Sequence, residues 1–449
     1  MQGGAIPCAM KAKCAYFGKC SGCTLQQFPY VKQLADKTRR VRSELAPLLP
    51  NSVSPEMIQS TIPSPSEHAY RSSGKLCLHE DELGRRSIGL YERGSKKVVD
   101  IPQCSVHHPE INRLVEKLFS FGKKLPAKLY QHNKKGFQAD RLKFIVIRYC
   151  PDTREFGLVI SHTGVDQAAL KAWAEGLRLS NVSFYEALLT AEDDDLVMAR
   201  NVNHLAGPKT FRFRIGSRDF QIDPIAFFQA NSSLINSFVE TIAAPHQGDV
   251  LVDLYGGFGT YSFQAAERFR KVVVVEANPH SIESANELIK RESIANVQTL
   301  ASSVEDYLKT VLKKPEAKEV TDIIVNPPRS GLSRYVVDSL QAKAFEKLQR
   351  ITYVSCDLTT LKRDLRELTR SGQFIIENAI PFDMFPQTDH IENVVRIVKN
   401  PKARVPSGPQ PKPTSAAISQ RPPLAKAKVG AGPRLNPKVQ PKAKPLRAR

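Results

Sequence analysis

From about residue 216 onward, short apolar runs alternate with segments of helical period, and this ordering constrains the fold more than any other feature. Strands that alternate with helices build a parallel sheet covered on both faces, so the expected class is α/β. The runs are Asp249 to Tyr255, Lys271 to Val275, Asp322 to Val325 and Ile351 to Cys356. They are mostly apolar with only isolated polar residues, as expected of strands buried on both sides. Open α/β sheets bind ligands outside the carboxyl ends of their strands. Each run here ends in residues suited to that position: Gly256-Gly257-Phe258-Gly259-Thr260, Glu276, Asn326-Pro327-Pro328 and Cys356.

The glycine turn lets a ligand approach the backbone where a side chain would clash. Glu276, 23 residues beyond Asp253, can accept hydrogen bonds from both ribose hydroxyls of a nucleoside cofactor. Dinucleotide and S-adenosylmethionine sites share this layout. The turn departs from GxGxxG and no Walker A lysine follows, which argues against NAD and ATP. Asn326-Pro327-Pro328 at the crevice mouth then points to a methyltransferase. Cys356, at a strand end facing a strand-to-helix loop, is the candidate nucleophile. A carboxylate base is expected from the later segment Phe382-Asp383-Met384-Phe385-Pro386-Gln387-Thr388-Asp389-His390-Ile391-Glu392.

The rest of the chain divides by composition. A length of 449 residues allows two or three domains. No apolar run is long enough to cross a bilayer, and the first residues lack a secretion signal, so a cytoplasmic protein is expected. Cys14, Cys20 and Cys23 crowd the amino-terminal region with Cys8, while Cys77, Cys104, Cys150 and Cys356 are scattered. Without a secretory signal this pattern points to metal binding or catalysis in a reducing compartment. The net charge of +20 implies a polyanionic partner. Twelve Lys and Arg lie beyond Pro401 with no acidic residue, leaving about +8 for the body. That tail is rich in Pro and Ala and is expected to be disordered. The expected divisions are residues 1–110, 111–215, 216–400 and the tail 401–449. Within them, a helix is expected from Val31 to Leu48. Strands are expected near Gly74 to His79, Ser87 to Tyr91, Leu142 to Tyr149 and Phe156 to Ser161.

Five motifs stand in one order: Phe227-Phe228-Gln229-Ala230-Asn231, Asp253-Leu254-Tyr255-Gly256-Gly257-Phe258-Gly259, Asn326-Pro327-Pro328-Arg329-Ser330-Gly331, Tyr353-Val354-Ser355-Cys356 and Phe382-Asp383-Met384-Phe385-Pro386. In them the chain resembles the RNA uridine-C5 methyltransferases, specifically the iron–sulfur branch acting on bacterial 23S ribosomal RNA. The resemblance spans roughly residues 10 to 400. It implies a Rossmann-like class I methyltransferase domain behind a cluster-bearing mixed region (1–110) and a central RNA-binding region (111–215). By resemblance, Gln229, Tyr255, Thr260, Glu276 and Asn326 contact S-adenosylmethionine, Cys356 is the nucleophile and Glu392 the base, while Asp389 and His390 are the nearby competitors for the base role. Two positions depart from the family, which usually has Cys at Gly256 and Asn at Asp357. Asp357 is expected to raise the thiol's pKa.

Carbon 5 of uracil is a poor nucleophile. A thiolate adding at carbon 6 makes an enolate that can take up a methyl group, after which a carboxylate must remove the carbon-5 proton. The target base must be unstacked to react. Cys14, Cys20, Cys23 and Cys104 resemble the four ligands of a [4Fe–4S] cluster in this branch, although the same thiols suit tetrahedral zinc. Lys11, Lys13, Lys19, Arg39 and Arg40 stand beside them as candidate phosphate contacts. Cys8 is expected to be free, and Cys77 and Cys150 to be core residues. The expected partner is RNA, with no membrane and a monomeric chain. The rival functions are a transfer RNA uridine-C5 methyltransferase, an adenine amino-methyltransferase and a non-catalytic RNA-binding or ribosome-assembly protein.

Overall fold

The computed structural model describes residues 12–50, 54–120, 125–193, 196–198, 202–226 and 228–403. Cys8, Lys11, Phe227 and the tail from residue 404 lie outside the described residues. Helix α1 (Tyr30–Leu45) follows the cysteine-rich segment. Its last expected turn is 3-10 helix, Ala46–Leu48, because the ring of Pro47 cannot continue an α-helix in this position.

A first sheet is built from β1 (Ser73–Glu80), β2 (Arg86–Tyr91), β3 (Val98–Asp100), β4 (Lys128–Leu129), β5 (Arg141–Cys150), β6 (Glu155–His162), β7 (Val182–Leu188) and β8 (Val202–Ala206). Its order is β3-β2-β1-β5-β6-β7-β8, with β4 on β5. Helices α2 (Pro109–Ser120) and α3 (Gln167–Gly176) belong to this half. Ile145 and Ile147 enter one core while Phe144 and Val146 enter another, the two-face alternation of a strand covered on both sides. Because β1 and β5 pair, this sheet draws strands from both sides of residue 110. The division expected there falls within one sheet. Cys77 and Cys150 are buried in β1 and β5, as expected of core residues.

A hairpin, β9 (Phe211–Ile215) and β10 (Arg218–Ile222), straddles the boundary expected at 216. The second sheet contains β11 (Gly248–Leu254), β12 (Phe269–Glu276), β13 (Val297–Ala301), β14 (Val320–Val325), β15 (Arg350–Ser355), β16 (Phe374–Phe382) and β17 (Glu392–Lys399). Its helices are α4 (Ile235–Ala243), α5 (Thr260–Ala265), α6 (Pro279–Glu292), α7 (Val304–Val311), α8 (Arg334–Leu340) and α9 (Leu358–Thr369). The order is β13-β12-β11-β14-β15-β17-β16. Pairing is parallel from β13 to β15 and antiparallel at β17 and β16. Val250, Val252 and Leu254 pack into one layer and Leu251 into the other, which explains why the run reads as uninterrupted. The chain crosses outward from β11 to β13, then returns to the other side of β11 as β14. The crevice between the ends of β11 and β14 is therefore the topological switch point. Among the described residues no helix is long and apolar enough to cross a membrane.

Candidate active site

The crevice begins with a tightly wound turn. Tyr255, Gly257 and Gly259 all take positive φ, at 60°, 57° and 83°. Only Tyr255 pays the cost of a side chain in that region, of order 1–3 kcal/mol. Gly256 is glycine for a different reason: a Cβ there would meet Val274 Cγ1 at 2.8 Å. Glu276 accepts from the backbone N–H of Gly257 (3.1 Å) and of Asn278 (2.7 Å), so its carboxylate is held at the end of β12 against the glycine turn. Asp253 is fully buried, accepts from Ser262 Oγ at 2.8 Å, and has its other oxygen unpartnered. Burial pushes its pKa up to about 7.

Gln229, Tyr255, Thr260 and Asn326 line one cleft with Phe258 and Tyr261. Four of the five residues expected around the cofactor are thus brought together, and Glu276 is tied to the cleft's turn. Asn326 Nδ2 donates to Tyr261 Oη at 3.1 Å. Gln229 bonds the same hydroxyl, and the charge of Glu392 bears on it. Tyr261 therefore lies between the cleft and Glu392. No local pattern marks it in the sequence, since it is one aromatic residue in the first turn of a short helix.

Cys356 follows β15 directly and is partly exposed. Strand β17 runs antiparallel beside it with Ser355 opposite Asn393. One step further along this ladder, Cys356 faces Glu392. Glu392 is only 4% exposed, so the solvated surface position that its polar neighbours suggest is not what it occupies. Burial pushes its carboxyl up to about 8, and the nearby Arg329 guanidinium opposes this shift. The Cys356 thiol is raised by burial and then by Glu392, and lowered by the charge and hydrogen bond of Arg329. Arg329 is thus the cation shared by thiol and carboxylate. It stood in the Asn326-Pro327-Pro328-Arg329 motif without a role assigned to it, although a cation three residues beyond Asn326 was visible.

Asp357 does not act as expected. Its side chain accepts from the N–H of Thr360 at 2.9 Å, capping α9, and the groups that raise the thiol's pKa are burial and Glu392. An N-cap carboxylate satisfies an orphan helix donor. Asp389 and His390 are exposed on the approach to Glu392. Residues 383 to 389 dock the amino-terminal region. Lys37 Nζ pairs with Asp383 Oδ1 at 2.6 Å, both buried, Gln33 and Gln387 exchange two hydrogen bonds, and Tyr70 Oη donates to Pro386 O.

Cys14, Cys20, Cys23 and Cys104 line a second cavity, which Arg71, Lys75 and His390 also border. All four are free thiols. Burial pushes Cys23 up to about 11, with Cys104, Cys20 and Cys14 adding to the shift. Cys104 also accepts backbone hydrogen bonds from Val106 and His107, as thiolate ligands do. The donor set suits a thiolate-held group. The thiols share the cavity without closing on one point: among the described residues no three His, Cys, Asp or Glu side chains are placed to hold a metal ion. Of the cations expected beside them, Lys13 and Lys19 are exposed, Arg39 pairs with Asp36 and Arg40 donates to Asp389 O.

Residues 212–400 match the family described as tRNA (Uracil-5-)-methyltransferase. An RNA methyltransferase of Thermotoga maritima is 29% identical over 399 residues, covering 87% of this chain and 85% of that protein. One from Halalkalibacterium halodurans is 28% identical over 398 residues, covering 87% and 84%. Among solved structures, the Pyrococcus abyssi tRNA (uracil-54, C5)-methyltransferase in complex with S-adenosyl-L-homocysteine is similar in fold. Its TM-score is 0.65 at 24% identity, covering 84% of this chain and 86% of that one.

Proposed function

Because this chain belongs to the RNA (uracil-C5) methyltransferase family and is an S-adenosylmethionine-dependent RNA methyltransferase, we propose that it methylates carbon 5 of one uridine through a covalent bond to Cys356. What carries the reading is the juxtaposition of Cys356, Arg329 and Glu392 at the end of the cleft bounded by Tyr261. Gln229, Tyr255, Thr260, Glu276 and Asn326 are the residues assigned to S-adenosylmethionine. When bound, that cofactor supplies an electrophilic methyl group.

The Cys356 sulfur adds to carbon 6 of the uracil, and the ring's electron pair moves toward carbon 5. Arg329 favours the thiolate against burial and against the Glu392 charge. Carbon 5 would gain the methyl group as that group's bond to the cofactor's sulfonium sulfur breaks, the electron pair staying on that sulfur to leave S-adenosylhomocysteine. Glu392 then takes the carbon-5 proton, the double bond re-forms, and the Cys356 sulfur leaves as thiolate. A carboxyl raised toward neutral pH suits this last role, since a general base works best near the operating pH. Cys14, Cys20, Cys23 and Cys104 are the residues assigned to a [4Fe–4S] cluster, with zinc the alternative. In either case the bound group would brace the segment that docks on residues 383 to 389 and would carry no electron for the methyl transfer.

The substrate we favour is 23S ribosomal RNA, following the four-cysteine pattern, with the chain acting as a cytoplasmic monomer. Transfer RNA is the second reading, favoured by the substrates named for the matching family and for the Pyrococcus abyssi enzyme. Mapping 5-methyluridine in both RNA pools, with and without the protein, separates them. The chemistry is tested with RNA containing 5-fluorouridine, whose carbon-5 fluorine cannot be removed as a proton. The expected result is a denaturant-stable adduct on Cys356, lost in Cys356→Ala. Full methylation by that variant would instead favour attack through an exocyclic amine. Absence of S-adenosylhomocysteine binding in a calorimetric titration would favour a non-catalytic RNA-binding protein.

A further inference from the structure

One group of charges in the first sheet takes no part in the cleft or the thiol cavity's ligand set. In the β1–β5 ladder Ser73 faces Arg148 and Lys75 faces Val146. Paired residues point to the same side of a sheet, so Lys75 and Arg148 are diagonal neighbours on one face, within reach of long side chains. Arg71 lies two residues before Ser73 and returns its Nε to Ser73 O at 3.0 Å. Arg71 and Lys75 both border the four-cysteine cavity, on whose lining Thr388 and His390 also stand.

These cations have few counter-charges. Among the described residues neither Arg71 nor Lys75 forms an ion pair, and Lys75 has no side-chain hydrogen bond. Arg148 is only 8% exposed. One of its terminal nitrogens donates to Ile225 O at 3.4 Å, its guanidinium lies 5.0 Å from the Phe228 ring centre, and its other terminal nitrogen has no partner. The carboxylate of Asp223 bears on it. Partial burial, and then the charges of Arg148, Arg71 and Arg329, hold Lys75 below the usual ammonium range. Partial burial holds His390 below the usual imidazole range, Asp389 acts the other way, and the charges of Arg329, Lys37 and Arg71 add to the lowering. Placing like charges together without partners costs stability, and an arrangement that bears this cost fits an anion that arrives from outside.

We infer that Arg71, Lys75 and Arg148 form a seat for an RNA phosphodiester next to the uridine that reacts with Cys356. The inference rests on the uridine-methyltransferase reading. Arg71 and Lys75 border the four-cysteine cavity with Arg148 beside Lys75 in the sheet, and none of the three lines the cofactor cleft. A base unstacked into the pocket leaves its backbone bent at the mouth, where fixed cations can hold it without reading sequence.

The test uses the full-length protein, a 5-fluorouridine oligoribonucleotide, and the same oligonucleotide with an uncharged methylphosphonate beside the target. Lys75→Gln, at an exposed position, and Arg71→Gln, at a half-buried one, should weaken RNA binding. Each should lower the slope of log affinity against log salt by about 0.7, the share of one phosphate contact to a single strand. S-adenosylhomocysteine affinity should be unchanged, and Lys75→Arg should restore the slope. The methylphosphonate should weaken the wild-type protein and have little further effect on the glutamine variants. Wild-type slopes in both variants, or equal sensitivity of variants and wild type to the methylphosphonate, would overturn the seat. Failure of the wild-type protein to trap the fluorinated RNA at all would overturn the uridine reading instead.

Discussion

Replacing Glu392 with Gln removes the proposed proton acceptor while keeping its size and its place opposite Cys356. The side chain is buried and its carboxyl is pushed up to about 8 by desolvation, against the pull of Arg329. After methyl transfer the sulfur of Cys356 is a neutral thioether, so the environment at the moment of proton removal is the burial and Arg329 alone. The sign follows from the raised value: below pH 8 most of the carboxyl is protonated and cannot act as a base. With a pKa near 8 the active fraction is about 0.01 at pH 6 and about 0.5 at pH 8, so adduct breakdown should quicken roughly 50-fold over that interval. The assay is a single turnover on unmodified RNA, quenched in denaturant, with the protein–RNA adduct followed on a gel. In Glu392→Gln the methylated adduct should persist at every pH. Wild-type decay that is flat between pH 6 and pH 8, or a glutamine variant that clears its adduct at the wild-type rate, would refute the assignment.

The same carboxyl makes a stability prediction: because its folded pKa lies above the unfolded value of 4.5, wild-type stability should fall as pH rises from 5 to 8. By linkage the loss at pH 7 is about 3 kcal/mol, absent from Glu392→Gln, and urea unfolding at several pH values reads it. Lys37→Met should leave Asp383 buried without its partner and cost about 3–5 kcal/mol in the same measurement. Gly256→Cys, the residue usual in the family, should lower S-adenosylhomocysteine affinity in calorimetry. Its Cβ meets Val274 at 2.8 Å, and the turn must shift to admit it. Cys14→Ser with Cys20→Ser should abolish any broad brown absorbance of anaerobically purified protein, whereas a zinc site would leave both proteins colourless and show a loss of bound zinc by mass spectrometry.

Much of the second half was legible because parallel strands carry a local signature. The runs at β11, β12, β14 and β15 are apolar on both faces, and each ends where a ligand must bind. Gly256 to Thr260, Glu276, Asn326 and Cys356 can therefore be placed at the crevice from their positions at the strand ends. The first sheet was less legible. Its strands β1 and β2 were visible, yet nothing local says that β1 pairs with β5 across residue 110. That pairing brings Lys75 beside Arg148.

By itself the sequence determined the α/β class, the crevice and the types of reacting group it holds, because burial and turn chemistry act over a few residues. Tertiary structure decided the rest. Strand β17 enters antiparallel beside β15 and so sets Glu392 against Cys356. The surrounding layers bury that carboxylate and raise its pKa, and Arg329 reaches both groups from another loop. Desolvation and charge coupling depend on distances through space, and residues far apart along the chain supply them.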